Sequence, residues 1–276
     1  RISYLLGNLN KSFNYRAVAS NDEKTLTLSE YIRIQNLANE SFGSTGLWAG
    51  FGQRFLKPIG INETKEMLME KYENVPVKKT YTADPQQYGY LDRPQNKLLI
   101  PMHYVLTNDK EHQLGKAPLQ YGKVRIFQQD RQGGTAFLGE DWAGLTPIDD
   151  KMRLFLGDAQ DVVCTRKIKA NQRHEVRGNL FNQEITITYE LENFKDKPVN
   201  LRIVEQLQRL VQDYGRSQSG IEWSSQSGTS PEITISLEEG GDNPILQVKL
   251  PARPADKSAP VVKTVVTFHI LVKNLW

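Results

Sequence analysis

The chain has 276 residues, 38% of them apolar and 24% charged, which is enough apolar material for a packed core and too much for a disordered chain. Its 35 Lys and Arg nearly balance 32 Asp and Glu, and no long run of like charge occurs, so nucleic acid is excluded as the expected partner. The single cysteine, Cys164, excludes an intrachain disulfide, a zinc knuckle and a CxxC redox centre, and no segment reaches the roughly 18 apolar residues of a membrane-spanning helix.

In chain order, the first clear signal is a period of two. Leu26, Leu28, Ile32 and Ile34 alternate with Thr25, Thr27, Tyr31 and Arg33, the pattern of a half-buried antiparallel strand. A Gly-rich run carries Trp48, Phe51 and Phe55, of which the two phenylalanines read as core filling. Residues 62–73, NETKEMLMEKYE, predict a short helix: Asn62 caps the first turn, Glu63 suits the positive end of the dipole, and Leu68 with Tyr72 share a face. Residues 74–96 combine three prolines with Tyr81, Tyr88 and Tyr90 and show no period, which predicts a long aromatic loop whose tyrosines lie over a sheet face.

Period two then returns. It runs through Val124 and Ile126, through Met152, Leu154 and Leu156, and through Ile185, Ile187, Tyr189 and Leu191. Further strands are expected at Val199, Leu201 and Ile203, at Ile233, Ile235 and Leu237, and from Val262 through Val266, Phe268, Ile270 and Val272. Cys164, in phase with Val162, reads as a small buried hydrophobe. Gly133–Gly134 and Gly240–Gly241 suit hairpin turns. Leu207, Leu210, Val211 and Tyr214 fit either a helix or a bent strand, and residues 215–231 read as a Ser, Gly and Gln-rich loop. The break GDAQD at residues 157–161 marks a domain boundary. The expected fold is all-β: two antiparallel β-sandwiches of immunoglobulin or fibronectin type, residues 1–158 and 159–276, with one short helix in an insertion at about residues 57–96.

Chemistry is sparse. No nucleophile elbow, phosphate loop, zincin helix or EF-hand loop is present, and His103, His112, His174 and His269 are scattered. Glu140, Asp141, Asp149, Asp150, Asp158 and Asp161 crowd turns, where Asp side chains ordinarily bond their own backbone. Asp149 and Asp150 are the candidate calcium ligands, and Glu140 with Asp141 the candidate carboxylates of a glycoside hydrolase, but turn chemistry is the preferred reading, so neither a metal nor a cofactor is expected. Exposed rings are the better binding candidates: Trp142, flanked by Asp141 and Gly144, and the loop residues Tyr81, Tyr88 and Tyr90.

The stretches HYVLTNDKEHQLGKAPLQYGKVRIFQQD, FLGEDWAGLTP, MRLFLGDAQDVV and ITITYELENFKDKPVNLRIVEQL together resemble the C-terminal β domain of the mucoidy inhibitor A-like bacterial proteins, and residues 2–36 resemble the region preceding it. In the matched stretches Gly115 and Gly122 bracket a loop, Gly157 lets the chain change sheets, and Asn193 and Pro198 delimit a hairpin. The chain departs from that family at Leu119–Tyr121, where prolines are usual, and at Asp213 and Tyr214, where a Trp is usual. The resemblance implies an exported, extracytoplasmic protein of a family without assigned function. The resulting expectation is a non-catalytic structural or interaction module of the cell envelope or a larger assembly, partnered by other proteins; a carbohydrate-binding sandwich is the alternative, ahead of a carboxylate hydrolase.

Overall fold

The computed structural model describes residues 7–43, 46–48, 54–56, 58–85, 95–207, 221–227, 233–237, 243–256 and 258–275. Among them every regular element is a strand. The first are β1 (Leu9–Ala19), β2 (Thr25–Asn36), β3 (Gly46–Trp48), β4 (Arg54–Leu56), β5 (Thr64–Pro76) and β6 (Lys78–Ala83). Next come β7 (Gln95–Leu98), β8 (Pro101–Thr107), β9 (Gly122–Gln129), β10 (Thr135–Ala143) and β11 (Lys151–Asp158). The remainder are β12 (Val162–Arg177), β13 (Leu180–Asn193), β14 (Val199–Val204), β15 (Ile221–Ser227), β16 (Ile233–Leu237), β17 (Pro244–Leu250) and β18 (Lys263–Leu275).

The chain divides into two compact units, residues 1–79 with 103–157, and residues 80–102 with 158–276. Residues 80–102, expected in the N-terminal domain, therefore belong to the second unit. The cause is backbone pairing: β6 runs parallel to β14 with Tyr81 opposite Leu201, and β7 pairs with β12 with Leu98 opposite Cys164.

In the first unit a five-stranded sheet has the order β10-β9-β1-β2-β5. Its inner face contributes Phe13, Tyr15, Ala17, Leu28, Ile32, Val124 and Ile126 to a core closed by Tyr104 and Leu106 of β8 and Met152 and Leu154 of β11. Sandwich formation follows from that alternation, because each strand has one apolar face to bury. Not every pair is antiparallel: β1 and β9 run parallel, with Phe13 opposite Gly122. The approach is close enough that a Cβ on Gly122 would sit 2.3 Å from the Phe13 carbonyl oxygen, so only glycine fits. The loop before β9 is held by Asn108, fully buried. Its side-chain amide donates to the carbonyls of Ala117, Thr146 and Pro147 at 3.0–3.1 Å, and its Oδ1 accepts the Gly115 N–H at 2.9 Å.

In the second unit the sheet β15-β18-β13-β12-β7 packs against β6, β14 and β17 through a core that includes Cys164, Ile187, Tyr189, Leu201, Val248 and Phe268. Inside it Glu205 accepts hydrogen bonds from Arg166 Nη2 at 2.9 Å, from Arg166 Nε at 3.3 Å and from the Tyr189 hydroxyl. Burial raises the Cys164 thiol to about 12, so it is a packing residue.

Four expectations need correction. Residues 62–73 are a turn and most of β5, without helix, because they pair with β2, Ile32 opposite Met67 and Leu28 opposite Tyr72. Met69 is an extra residue in that ladder, between Leu68 opposite Tyr31 and Glu70 opposite Glu30. This bulge flips the face, leaving Leu68 49% exposed and Tyr72 5% exposed, so the two share no face. Residues 74–96 and 215–231 are not loops throughout, since they contain β6 and β15. The turn at residues 193–199 is a crossing between sheets and no hairpin, since β13 and β14 belong to different sheets. Val262, exposed, precedes the closing strand instead of starting it. The hairpin expected at Gly133–Gly134 does join β9 to β10, whereas Gly240–Gly241 and residues 208–214 lie outside the described residues.

Candidate functional site

The outer face of the first unit's sheet carries a close arrangement of polar and aromatic side chains. Since Tyr15, Ala17, Val124 and Ile126 turn inward, alternation turns Asn14, Arg16, Lys123, Arg125 and Phe127 outward. Register then aligns them across strands. Tyr31 lies opposite Asn14, Asn14 opposite Lys123, and Lys123 opposite Trp142, giving one row across four strands. The next row runs Arg16, Arg125, Glu140, and beyond it Phe127 meets Phe137.

These rows surround a cavity of about 300 Å3 lined by Asn14, Arg16, Tyr31, Glu66, Lys123, Arg125 and Phe127, with Tyr15 at its base. Asn14 Nδ2 donates to Glu66 at 3.3 Å, and Lys123 Nζ donates to Glu140 at 2.9 Å while lying 5.4 Å from the Trp142 ring centre. That lysine, by its hydrogen bond above all, holds the Glu140 carboxyl below the usual range. Trp142 is 56% exposed and stacks with Tyr121, ring centres 5.3 Å apart at 12°. Arg16 lies over Phe127 at 5.0 Å, and Phe127 meets Phe137 edge-on at 5.4 Å.

Beneath the cavity, the Tyr15 hydroxyl lies 2.9 Å from the Gln120 carbonyl and 3.0 Å from Glu30 Oε1. The hydroxyl donates toward both, its one proton shared between the two acceptors. Burial above all raises the Glu30 pKa, the hydrogen bond from Tyr15 lowers it in part, and repulsion from Glu70 adds to the rise. Tyr72 beside it is pushed up to about 12 by burial and by the Glu30 and Glu70 charges.

Of the residues singled out in the sequence, Trp142 is on this face. Tyr81 is not a surface ring: it is 6% exposed and belongs to the second unit's core, because residues 80–83 form a strand whose alternate side chains turn inward. Tyr88 and Tyr90 lie outside the described residues. Asp149 serves a tight turn at φ 69°, its N–H bonded to the Asn108 carbonyl, and Asp150 accepts the Lys151 N–H at 2.7 Å. Among the described residues no group of three or more His, Cys, Asp or Glu is placed to hold a metal ion. Glu140 and Asp141 do not converge. As consecutive strand residues they point to opposite sides, Glu140 toward Lys123 while Asp141 accepts the Phe155 N–H at 2.7 Å.

Sequence reasoning missed Asn14, Arg16, Tyr31, Tyr121, Lys123 and Arg125. Their signal was the polar phase of each alternating run, but only the parallel pairing of β1 with β9 brings the phases side by side. No described helix is long and apolar enough to cross a membrane. Compared with protein-family models, curated proteins and solved structures, the chain matches none.

Proposed function

We propose that the chain is a non-catalytic interaction module of an exported bacterial protein, acting at the cell envelope or within a larger assembly, with the outer sheet face of the first unit as its contact surface. The observation that carries this reading is the four-strand row Tyr31, Asn14, Lys123, Trp142 around an open cavity. A face serving only solubility has no need of stacked, exposed rings registered against cations. The export part rests on the resemblance to the mucoidy inhibitor A-like domain, as does the immunoglobulin-type sandwich. Envelope proteins are the partner class that resemblance favours. The ring pair Tyr121 and Trp142 favours the second reading, a carbohydrate-binding sandwich.

The test is photocrosslinking in cells with a probe residue placed at Leu68, on the rim of the face. Crosslinked adducts in the envelope fraction that disappear in Trp142→Ala/Lys123→Glu are expected. Retention in the cytoplasm, or adducts indifferent to that double variant, would sink the proposal.

A further inference from the structure

The outer face contains an arrangement that folding does not account for. Arg16 and Arg125 are direct cross-strand neighbours on β1 and β9, and like charges placed so oppose each other. Relief from within the chain is slight. Arg125 Nε lies 4.0 Å from Glu140 Oε2, but that carboxylate already accepts the Lys123 bond at 2.9 Å. Glu66 accepts from Asn14 and lies opposite Arg33 on the neighbouring strand. The Arg16 guanidinium meets the Phe127 ring and, among the described residues, no carboxylate. Three cations, Arg16, Lys123 and Arg125, thus share one cavity with a single lining carboxylate, Glu66. An anion seated between the two guanidiniums would turn a repulsive pair into a fork.

The surroundings say what carries the anion. β1 and β9 are interior strands with both ladders filled, so the floor offers no backbone groups to an extended peptide. What it does offer lies flat: the Asn14 amide, the Tyr31 hydroxyl and the exposed Tyr121–Trp142 pair on the far side of Lys123. Strands are spaced by about 4.8 Å, so the arginine pair and the rings are separated by roughly 5–10 Å, a span that adjoining sugars cover. Resting on the reading of this face as the contact surface, we propose that it binds an anionic glycan: Arg16 and Arg125 take the acid group and the Tyr121–Trp142 pair stacks a neighbouring sugar ring.

The test is calorimetric titration of the full chain with oligogalacturonate, with sulfated heparin oligomers, with neutral galactan oligomers and with polyglutamate. Binding of one or both acidic glycans is expected, weakening steeply with salt and at least tenfold weaker in Arg16→Ala, in Arg125→Ala and in Trp142→Ala. The galacturonate and heparin arms separate carboxylate from sulfate as the recognised acid. Neutral oligomers should not bind. Arg16→Ala should also keep or raise the melting temperature without ligand, because a repulsion is removed, so lost binding cannot be ascribed to unfolding. Equal or tighter binding of polyglutamate would make the partner an acidic peptide and overturn the proposal, as would silence with both acidic glycans or binding unchanged in the arginine variants. If those results coincide with face-dependent crosslinks in cells, the interaction reading survives and only the glycan is lost; if the crosslinks fail too, both fall.

Discussion

Two ion pairs of the same length do different things in the two units. Arg166–Glu205 and Lys123–Glu140 both close to 2.9 Å, but the first pair's side chains are 4% and 3% exposed and the second's 33% and 48%. In the core of the second unit each charge has lost its water, and Arg166, Glu205 and Tyr189 must satisfy one another. On the outer face of the first unit water screens the pair, so Lys123 can exchange Glu140 for a ligand at little cost. Burial, and not distance, separates a pair that holds the fold from one that is free to serve recognition.

The largest test of this contrast is Glu205→Gln, which leaves Arg166 charged and underpaired; a loss of about 3–5 kcal/mol is expected in urea unfolding. A loss below about 1 kcal/mol would break the comparison. Asn108→Ala in the first unit leaves the Ala117, Thr146 and Pro147 carbonyls and the Gly115 N–H short of partners, with an expected cost of about 2–3 kcal/mol by the same assay.

Two carboxyls sharpen the contrast with pH. Glu30, buried, has its folded pKa raised, so its stabilising contribution is complete below the ordinary 4.5 and is lost as pH rises through the raised value. Glu190, between Lys167 at 2.6 Å and Lys263 at 2.5 Å, is lowered to about 2, so its contribution is complete above 4.5 and is lost as pH falls toward 2. Urea midpoints measured across pH should lose the high-pH decline in Glu30→Gln and part of the acid decline in Glu190→Gln. Parallel pH curves for the wild type and both variants would refute these assignments. The smallest effect belongs to Lys123→Ala, within about 0.5 kcal/mol of wild type in stability, as an exposed pair requires.

Much of the sandwich architecture was legible because it follows from alternation. Leu26 to Ile34, Ile185 to Leu191 and Val266 to Val272 each show their inward phase directly in the residue order. Residues 62–73 misled because the Met69 bulge breaks the period of two at its middle, and a broken period resembles a helical one. Tyr81 was readable and was not read: Thr80 and Thr82 flank it and Ala83 shares its phase, a short strand obscured by the prolines on either side. At the candidate site Trp142 stood out because its neighbours Asp141 and Gly144 mark a residue hard to bury, and Glu140 stood out only as one carboxylate among several near turns. Arg16 and Arg125 are unremarkable in one dimension, and their opposition exists only once β1 lies beside β9.

That parallel alignment also bears on the order of assembly. Because β1 and β9 are remote along the chain, closing the loop between them costs entropy before any contact rewards it, and such pairings form slowly. A nascent or clipped chain that has β1 without β9 has half of each row and no paired arginines. The recognition surface is therefore a late product of folding, and a ligand held there stabilises only the finished first unit. Affinity for that ligand would double as a readout of whether the two remote segments have met.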